Sequence, residues 1–178
     1  MQFRRELAVE LAHLAHDFTA LRHEALRRAL ALHGHDERLA DAAMDLFLAA
    51  RSDVELFPEV LHALERLAAR YPLVALTNGN ADIERAGVAR FFLGVTNPAV
   101  AGVAKPDARI FHAACGRAGV NAAEAMHVGD HPDLDVRAAT RAGLQAAWMN
   151  RERAAWAGEP GPHREVHDLV MLCEALGA

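Results

Sequence analysis

The chain divides into a first part with a helical repeat of apolar residues and a second part in which helices alternate with short apolar runs. In the first part, apolar residues recur every three or four positions from Phe3 and Leu7 to Leu30, which predicts a helix. A second helix is predicted after Asp36. Because no strand pattern occurs before residue 50, we expect residues 1–52 to form a helical layer or small subdomain.

The second part has the pattern of an α/β domain. Four short apolar runs are predicted as buried strands, at residues 73–76, 92–95, 126–128 and 144–148. Helices are predicted at residues 81–89, 107–118, 133–142 and 167–176, and the Gly- and Pro-rich stretch 151–163 is predicted as a loop. Such alternation predicts βαβ units, and therefore a Rossmann-like parallel sheet flanked by helices.

Three carboxylates follow the predicted strand at residues 126–128. Gly129 allows a sharp turn, and Asp130 then lies at the carboxyl edge of the sheet, where open α/β proteins bind ligands. Together with Asp133 and Asp135, it forms a seat suited to a hard cation such as Mg²⁺. The alternative is that these acidic residues only cap the first turn of the next helix, and the stretch alone leaves both interpretations open.

Two further stretches point to the same edge. After the strand at residues 73–76, Thr77 offers a hydroxyl and the backbone around Asn78 and Gly79 offers N–H groups to an anion, although a capped turn would explain them too. Lys105 precedes Pro106 at a predicted helix start, and a solvated lysine is the simpler interpretation of it alone. Together, a hydroxyl, a cation and paired carboxylates suit a phosphate group.

The ordered set Thr77-Asn78-Gly79, Lys105-Pro106 and Gly129-Asp130-x-x-x-x-Asp135 resembles the haloacid-dehalogenase-like (HAD) hydrolase superfamily. It is most similar to the helical-capped phosphatase branch, which includes flavin-mononucleotide-type and small-metabolite phosphatases. The resemblance covers about residues 57–150. It implies a partial helical cap at residues 1–52 and an α/β core at residues 53–178.

The resemblance implies a Mg²⁺-dependent phosphomonoesterase that acts on a small phosphorylated metabolite through an aspartyl-phosphate. In that scheme Lys105 holds phosphoryl oxygens, and Thr77 binds phosphate with the backbone of Asn78 and Gly79. Asp130 ligates Mg²⁺, while Asp135 acts on the metal through a water or orients Lys105. A dehalogenase is less favoured, because dehalogenation needs no Mg²⁺ whereas the carboxylates of Asp130 and Asp135 favour a metal.

One element of the family is not found in the sequence. The family's nucleophile lies in an Asp-x-Asp segment that ends a first, central strand, and no Asp-x-Asp precedes residue 130. In the family that strand lies between the strands ending at Thr77 and Asp130. Since neighbouring strands are about 4.8 Å apart, its loss would leave a gap of roughly one strand width between them. We therefore expect an N-terminal truncation of roughly 30–50 residues, the length of a strand, a turn and a helix.

Two alternatives remain to the enzyme hypothesis. The chain could be a non-catalytic module that binds phosphate or a partner protein, with its open sheet completed by a strand from another chain, as in a homodimer. A receiver-like phosphoacceptor also uses Asp, Thr and Lys, but the order of these residues here fits it poorly.

The composition of the chain limits the kinds of partner that it is expected to bind. A net charge of −5 with scattered basic residues argues against nucleic acid, and no apolar run approaches the roughly 18 residues that span a membrane. The N-terminus lacks the pattern of a signal peptide, and Cys115 and Cys173 are predicted as free thiols, so a cytoplasmic location is expected. Because neither His13 and His16 nor His33 and His35 have a third ligand at a recognisable spacing, no zinc site is predicted.

Overall fold

The computed structural model describes residues 10–11, 17–80 and 82–178. The predicted apolar positions Phe3 and Leu7, and the histidines His13 and His16, lie outside these residues. Helix α1 (Phe18–Leu32) begins after Asp17, whose side chain accepts hydrogen bonds from the first turn. Helix α2 (Leu39–Ser52) packs against α1.

The α/β part follows in chain order. Its elements are α3 (Val60–Ala68), β1 (Ala75–Leu76), a 3-10 turn (Ala89–Phe91), β2 (Val95–Thr96), the short helix α4 (Pro98–Ala101), α5 (Ala108–Ala118), a second 3-10 turn (Ala122–Glu124), β3 (Met126–Gly129), a π-helical turn (Pro132–Arg137) that continues into α6 (Ala138–Arg141), β4 (Gln145–Met149), β5 (Arg164–Val166) and α7 (Leu169–Leu176).

All strand pairs in the described residues are parallel, which confirms the predicted fold class. Strand β1 pairs with β2, with Ala75 opposite Val95. Strands β3, β4 and β5 form a second sheet in that order. Strand β5 was not predicted, because three residues after a Gly- and Pro-rich loop are too short to show a period.

The two sheets are separated by a cleft. Strand β1 uses the N–H of Ala75 for its bond to β2, so by alternation the backbone groups of Val74 and Leu76 face away from β2. The carbonyl of Ala125 accepts a bond from Gln145 on β4, so Met126 and Val128 likewise turn their backbone groups away. A cavity of about 350 Å³ lies between, and these four outward-facing residues line it.

Two predicted elements differ from the structure. The segment predicted as a helix at residues 81–89 forms turns over residues 83–87, and Gly87 with φ +74°, a left-handed conformation that ends helices, stops the chain from continuing as a helix. The strand predicted at residues 92–95 begins three residues later, at Val95.

Two apolar clusters cover the faces of the β3–β4–β5 sheet. One contains Phe111, Val136 and Trp148, and the other contains Leu67 and Leu172. Cys115 and Cys173 are free and buried, and burial raises the pKa of both thiols. Within the described ranges, no helix has the length and apolar character needed to traverse a membrane.

Candidate active site at the carboxyl edge of the sheet

The turn after β3 has no room for a side chain at Gly129. A Cβ atom there would lie 2.5 Å from the Cβ of Asp135 and would also overlap its carboxyl carbon. The next helical segment is capped by His131, whose Nδ1 accepts hydrogen bonds from the N–H groups of Asp133 and Leu134. The imidazole of His131, and not an acidic side chain, therefore accepts the hydrogen bonds from these two first-turn N–H groups.

Asp135 lies at the centre of a buried polar network. Its side chain is almost fully buried, and its Oδ1 is 2.5 Å from the Nζ of Lys105 and 2.9 Å from the Nε2 of His127. Its Oδ2 accepts a hydrogen bond of 3.0 Å from the N–H of His131. Burial alone would raise the pKa of Asp135, but the hydrogen bonds from His127 and Lys105 outweigh it and hold the pKa well below its usual range. The carboxylate is therefore ionised and accepts three hydrogen bonds.

Lys105 is joined to the loop after β1 by its backbone. Its N–H donates to the Oδ1 of Asn78 at 2.8 Å, and its carbonyl accepts from the Nδ2 of Asn78 at 2.9 Å. The Asn78 side chain thus fixes one loop against the other. Lys105 is also the only lysine among 19 basic residues, the rest being arginine. That contrast is a sequence signal, because a compact ammonium and a planar guanidinium are not interchangeable at a tight site.

The loop after β1 presents donors to the same region. The Oγ1 of Thr77 accepts a hydrogen bond of 2.8 Å from the N–H of Gly79, which leaves the hydroxyl hydrogen available to donate. The structure thereby links Thr77, Asn78 and Gly79 to Lys105, and through Lys105 to Asp135. Five of the six predicted site residues form one connected set.

Asp130, the sixth predicted residue, lies beside this set and is exposed. Its backbone carbonyl accepts a hydrogen bond of 2.9 Å from the Nε1 of Trp148, which fixes the position of the residue. In the described part of the chain its carboxylate has no partner. No group of three or more His, Cys, Asp or Glu side chains suited to a metal occurs among those residues.

An isolated carboxylate can nevertheless take part in a magnesium site. Mg²⁺ is commonly bound through one or two carboxylates, with substrate phosphate and water completing its shell. Asp130 fits the role of such a ligand. Asp135 is occupied by three protein donors, an arrangement suited to orienting Lys105 or acting through a water. The magnesium site therefore stays a prediction.

Arg51 is a candidate that the sequence analysis missed. It lies in the last turn of α2, and its Nη2 would be 3.2 Å from a Cβ atom on Gly79. Arg51 is exposed and has no ion-pair or hydrogen-bond partner in the residues that the structure describes. The helical layer is held to this loop by the Oγ of Ser52, which accepts a bond from the N–H of Asp82. No local pattern marks Arg51, because its proximity to Gly79 arises from packing.

His127 is the second candidate that was missed. It lies in β3, two residues before Gly129, and is buried. Its ring meets the ring of Phe111 edge to face, with centroids 5.1 Å apart. The signal in the sequence was a histidine inside an otherwise apolar strand.

Comparison with known proteins identifies relatives of two activities. The chain is 33% identical over 169 residues to 5-amino-6-(5-phospho-D-ribitylamino)uracil phosphatase YigB of Escherichia coli (strain K12), covering 90% of this chain and 71% of the relative. It is 36% identical over 163 residues to phosphoserine phosphatase of Thermus thermophilus, covering 87% of this chain and 66% of the relative. The crystal structure of 2-haloacid dehalogenase from Pseudomonas syringae pv. Tomato DC3000 matches with a TM-score of 0.94 and 39% identity, covering 99% of this chain and 78% of that one.

This chain thus spans about two thirds to three quarters of the lengths of these relatives. A family model described as haloacid dehalogenase-like hydrolase matches residues 2–143, which is most of the chain and includes all six predicted site residues. The chain therefore belongs to the haloacid dehalogenase-like hydrolase family.

Proposed function

We propose that this chain carries the phosphate-binding and metal-binding part of a Mg²⁺-dependent phosphomonoesterase that acts on a small phosphorylated metabolite. The observation that carries the proposal is that Asn78 is hydrogen-bonded to the backbone of Lys105, whose ammonium is bonded to Asp135. Thr77 adjoins Asn78 in the chain, and the exposed carboxylate of Asp130 follows Gly129, which contacts Asp135. These groups supply a hydroxyl, a cation and a metal ligand at one edge of the sheet. Two phosphatases among the relatives support the choice of a phosphate substrate.

Each residue has a separate role in this proposal. Lys105 neutralises charge on the phosphoryl oxygens, while Asp135 keeps its ammonium in place. Thr77 donates its hydroxyl to a phosphate oxygen, and the backbone of Asn78 and Gly79 offers further donors. Asp130 would hold Mg²⁺, which when bound neutralises negative charge on the transferring phosphoryl group. In the family's chemistry the phosphoryl group passes to an aspartate in an Asp-x-Asp segment, and no such segment precedes residue 130.

The decisive assay compares phosphate release with halide release. The protein is expressed from its native gene and purified. It is then incubated with a panel of phosphomonoesters and, separately, with (S)-2-chloropropionate, and each reaction is run once with Mg²⁺ and once with EDTA. Phosphate release that requires Mg²⁺ is expected. Chloride release that persists in EDTA would replace the phosphatase proposal with a dehalogenase.

Arg51 is expected to strengthen phosphate binding from the side of the helical layer. Replacing Arg51 with glutamine should weaken the affinity of the chain for inorganic phosphate about fivefold to tenfold, because a charge-assisted hydrogen bond is lost. Isothermal titration calorimetry with phosphate measures the change. Arg38→Gln is the matched control, since Arg38 is exposed at the other end of α2 and pairs with Asp36. Equal affinities of the two variants would remove Arg51 from the site.

The cleft between the sheets supports a second candidate function. Two strands turn unpaired backbone edges toward a cavity of about 350 Å³, and such edges accept an added strand. The chain could therefore act as a binding module whose sheet is completed by a strand of another chain, including a second copy of itself.

A proline substitution tests this candidate. Val74→Pro removes an N–H that faces the cleft and should abolish concentration-dependent self-association, while the bond from Ala75 to β2 is kept. Val74→Ala retains the N–H and should still associate. Sedimentation velocity over a wide range of concentrations distinguishes them. A wild-type chain that stays monomeric throughout would exclude self-association.

A further inference from the structure

We infer that His127 is a positioning residue that fixes the Asp135 carboxylate so that Lys105 is presented to the phosphate site. This deepens the proposed function, because it assigns a role at the same site to a residue that makes no predicted contact with the substrate. The inference rests on the geometry of one carboxylate and its three donors.

The three donors come from three separate segments. Lys105 precedes α5, His127 lies in β3, and His131 follows the turn after β3. Lys105 and His127 share Oδ1, while the backbone N–H of His131 bonds to Oδ2. His127 is thus a second donor on Oδ1, the oxygen that Lys105 uses. Because it comes from a strand packed in the core, it holds that oxygen in place independently of the Lys105 loop.

The imidazole is itself held in place. Phe111 has no exposed surface and meets the His127 ring at an interplanar angle of 90°. Since an ionised carboxylate only accepts hydrogen bonds, Nε2 must carry the hydrogen and donate it. The chain of contacts therefore runs from the buried Phe111 through His127 and Asp135 to Lys105. If the His127 ring only filled space in the core, its Nε2 would not need to point at Asp135, the carboxylate that binds Lys105.

Because Lys105 is the only lysine, its ammonium can be observed alone. The full chain is labelled with ¹⁵N-lysine, and hydrogen exchange at the single side-chain Nζ is measured by NMR. In the wild type, the bond to Asp135 should slow exchange. His127→Leu fills the space without a donor and should speed exchange about tenfold. His127→Gln places an amide N–H near the position of Nε2 and should restore slow exchange.

His112→Gln is the matched control, since this exposed histidine bonds to the carbonyl of Ala142 and does not contact Asp135. Its exchange rate should equal that of the wild type. If His127→Leu does not fold, His127→Asn replaces it: the shorter amide falls short of Oδ1, so exchange should be faster than in His127→Gln. The inference would be overturned if Lys105 exchanged at the same rate in the wild type, His127→Leu and His127→Gln. Where His127→Asn replaces the leucine variant, equal rates in His127→Asn and His127→Gln would overturn it. The readout needs no turnover, so it is independent of the phosphatase assay.

Discussion

Gly129→Ala should lower the free energy of unfolding by about 3 kcal/mol, the combined effect of overpacking and of disturbing a buried ion pair. The added methyl group would lie 2.5 Å from the Cβ of Asp135, well inside van der Waals contact. Asp135 cannot retreat without breaking its bonds to Lys105 and His127. Gly129 has no left-handed backbone conformation, so the cost arises from the collision alone.

Chemical denaturation followed by circular dichroism measures this loss. The matched control is Gly116→Ala, because Gly116 lies inside α5 and a Cβ atom there meets nothing within 4 Å. Alanine should raise the free energy of unfolding at that site by about 0.5–1 kcal/mol through its higher helix propensity. The two substitutions are chemically identical and should act in opposite directions. A Gly129→Ala protein as stable as the wild type would show that Asp135 can move freely.

Asp135→Asn is the second substitution with a large expected effect. It should lower the free energy of unfolding by about 3 kcal/mol, because removing one partner of a buried ion pair leaves the other charge uncompensated. Lys105 and His127 both donate to Oδ1, and the N–H of His131 donates to Oδ2. An asparagine has only one acceptor oxygen, so at least one of these donors must face its NH₂ group. Phosphate binding should fall as well, since Lys105 is no longer held in place.

The neighbouring Asp133 provides the control. It pairs with Arg137 four residues later and is largely exposed, so Asp133→Asn should cost less than about 1 kcal/mol. Both variants can be compared by denaturation and by calorimetry with phosphate. A cost for Asp135→Asn as small as that for Asp133→Asn would mean that the buried network contributes little to stability. The account of Lys105 positioning would then lose its basis.

Short-range patterns predicted most of the α/β elements. Strand β3 and helix α5 lie close to their predicted positions, since a buried apolar run and a capped helix with a terminal glycine are local features. The helix predicted at residues 81–89 was wrong, because its apolar spacing gave no sign that Gly87 would adopt a left-handed conformation. Strand β5 was missed because parallel pairing with β4, a long-range contact, is what makes it a strand.

The candidate site was predicted in part. Thr77, Lys105 and Asp135 were identified from their order along the chain. In the structure Lys105 is hydrogen-bonded to Asp135 and to Asn78, the residue after Thr77. His127 and Arg51 were missed for different reasons. The first looked like a stray polar residue in a strand, and the second lies 28 residues before Gly79 in a different element. Both relationships depend on how distant segments pack in the tertiary structure.

By itself, the sequence determined the parallel α/β class, the order of the three motifs and the absence of an Asp-x-Asp before residue 130. These depend on residue type and on spacing along the chain, which are local quantities. Only the tertiary structure decided that Asp135 is a buried acceptor shared by Lys105 and His127, and that a cleft separates β1 from β3. Burial and hydrogen-bond partners depend on which distant segments pack together, and the free energy of that packing is a property of the whole fold.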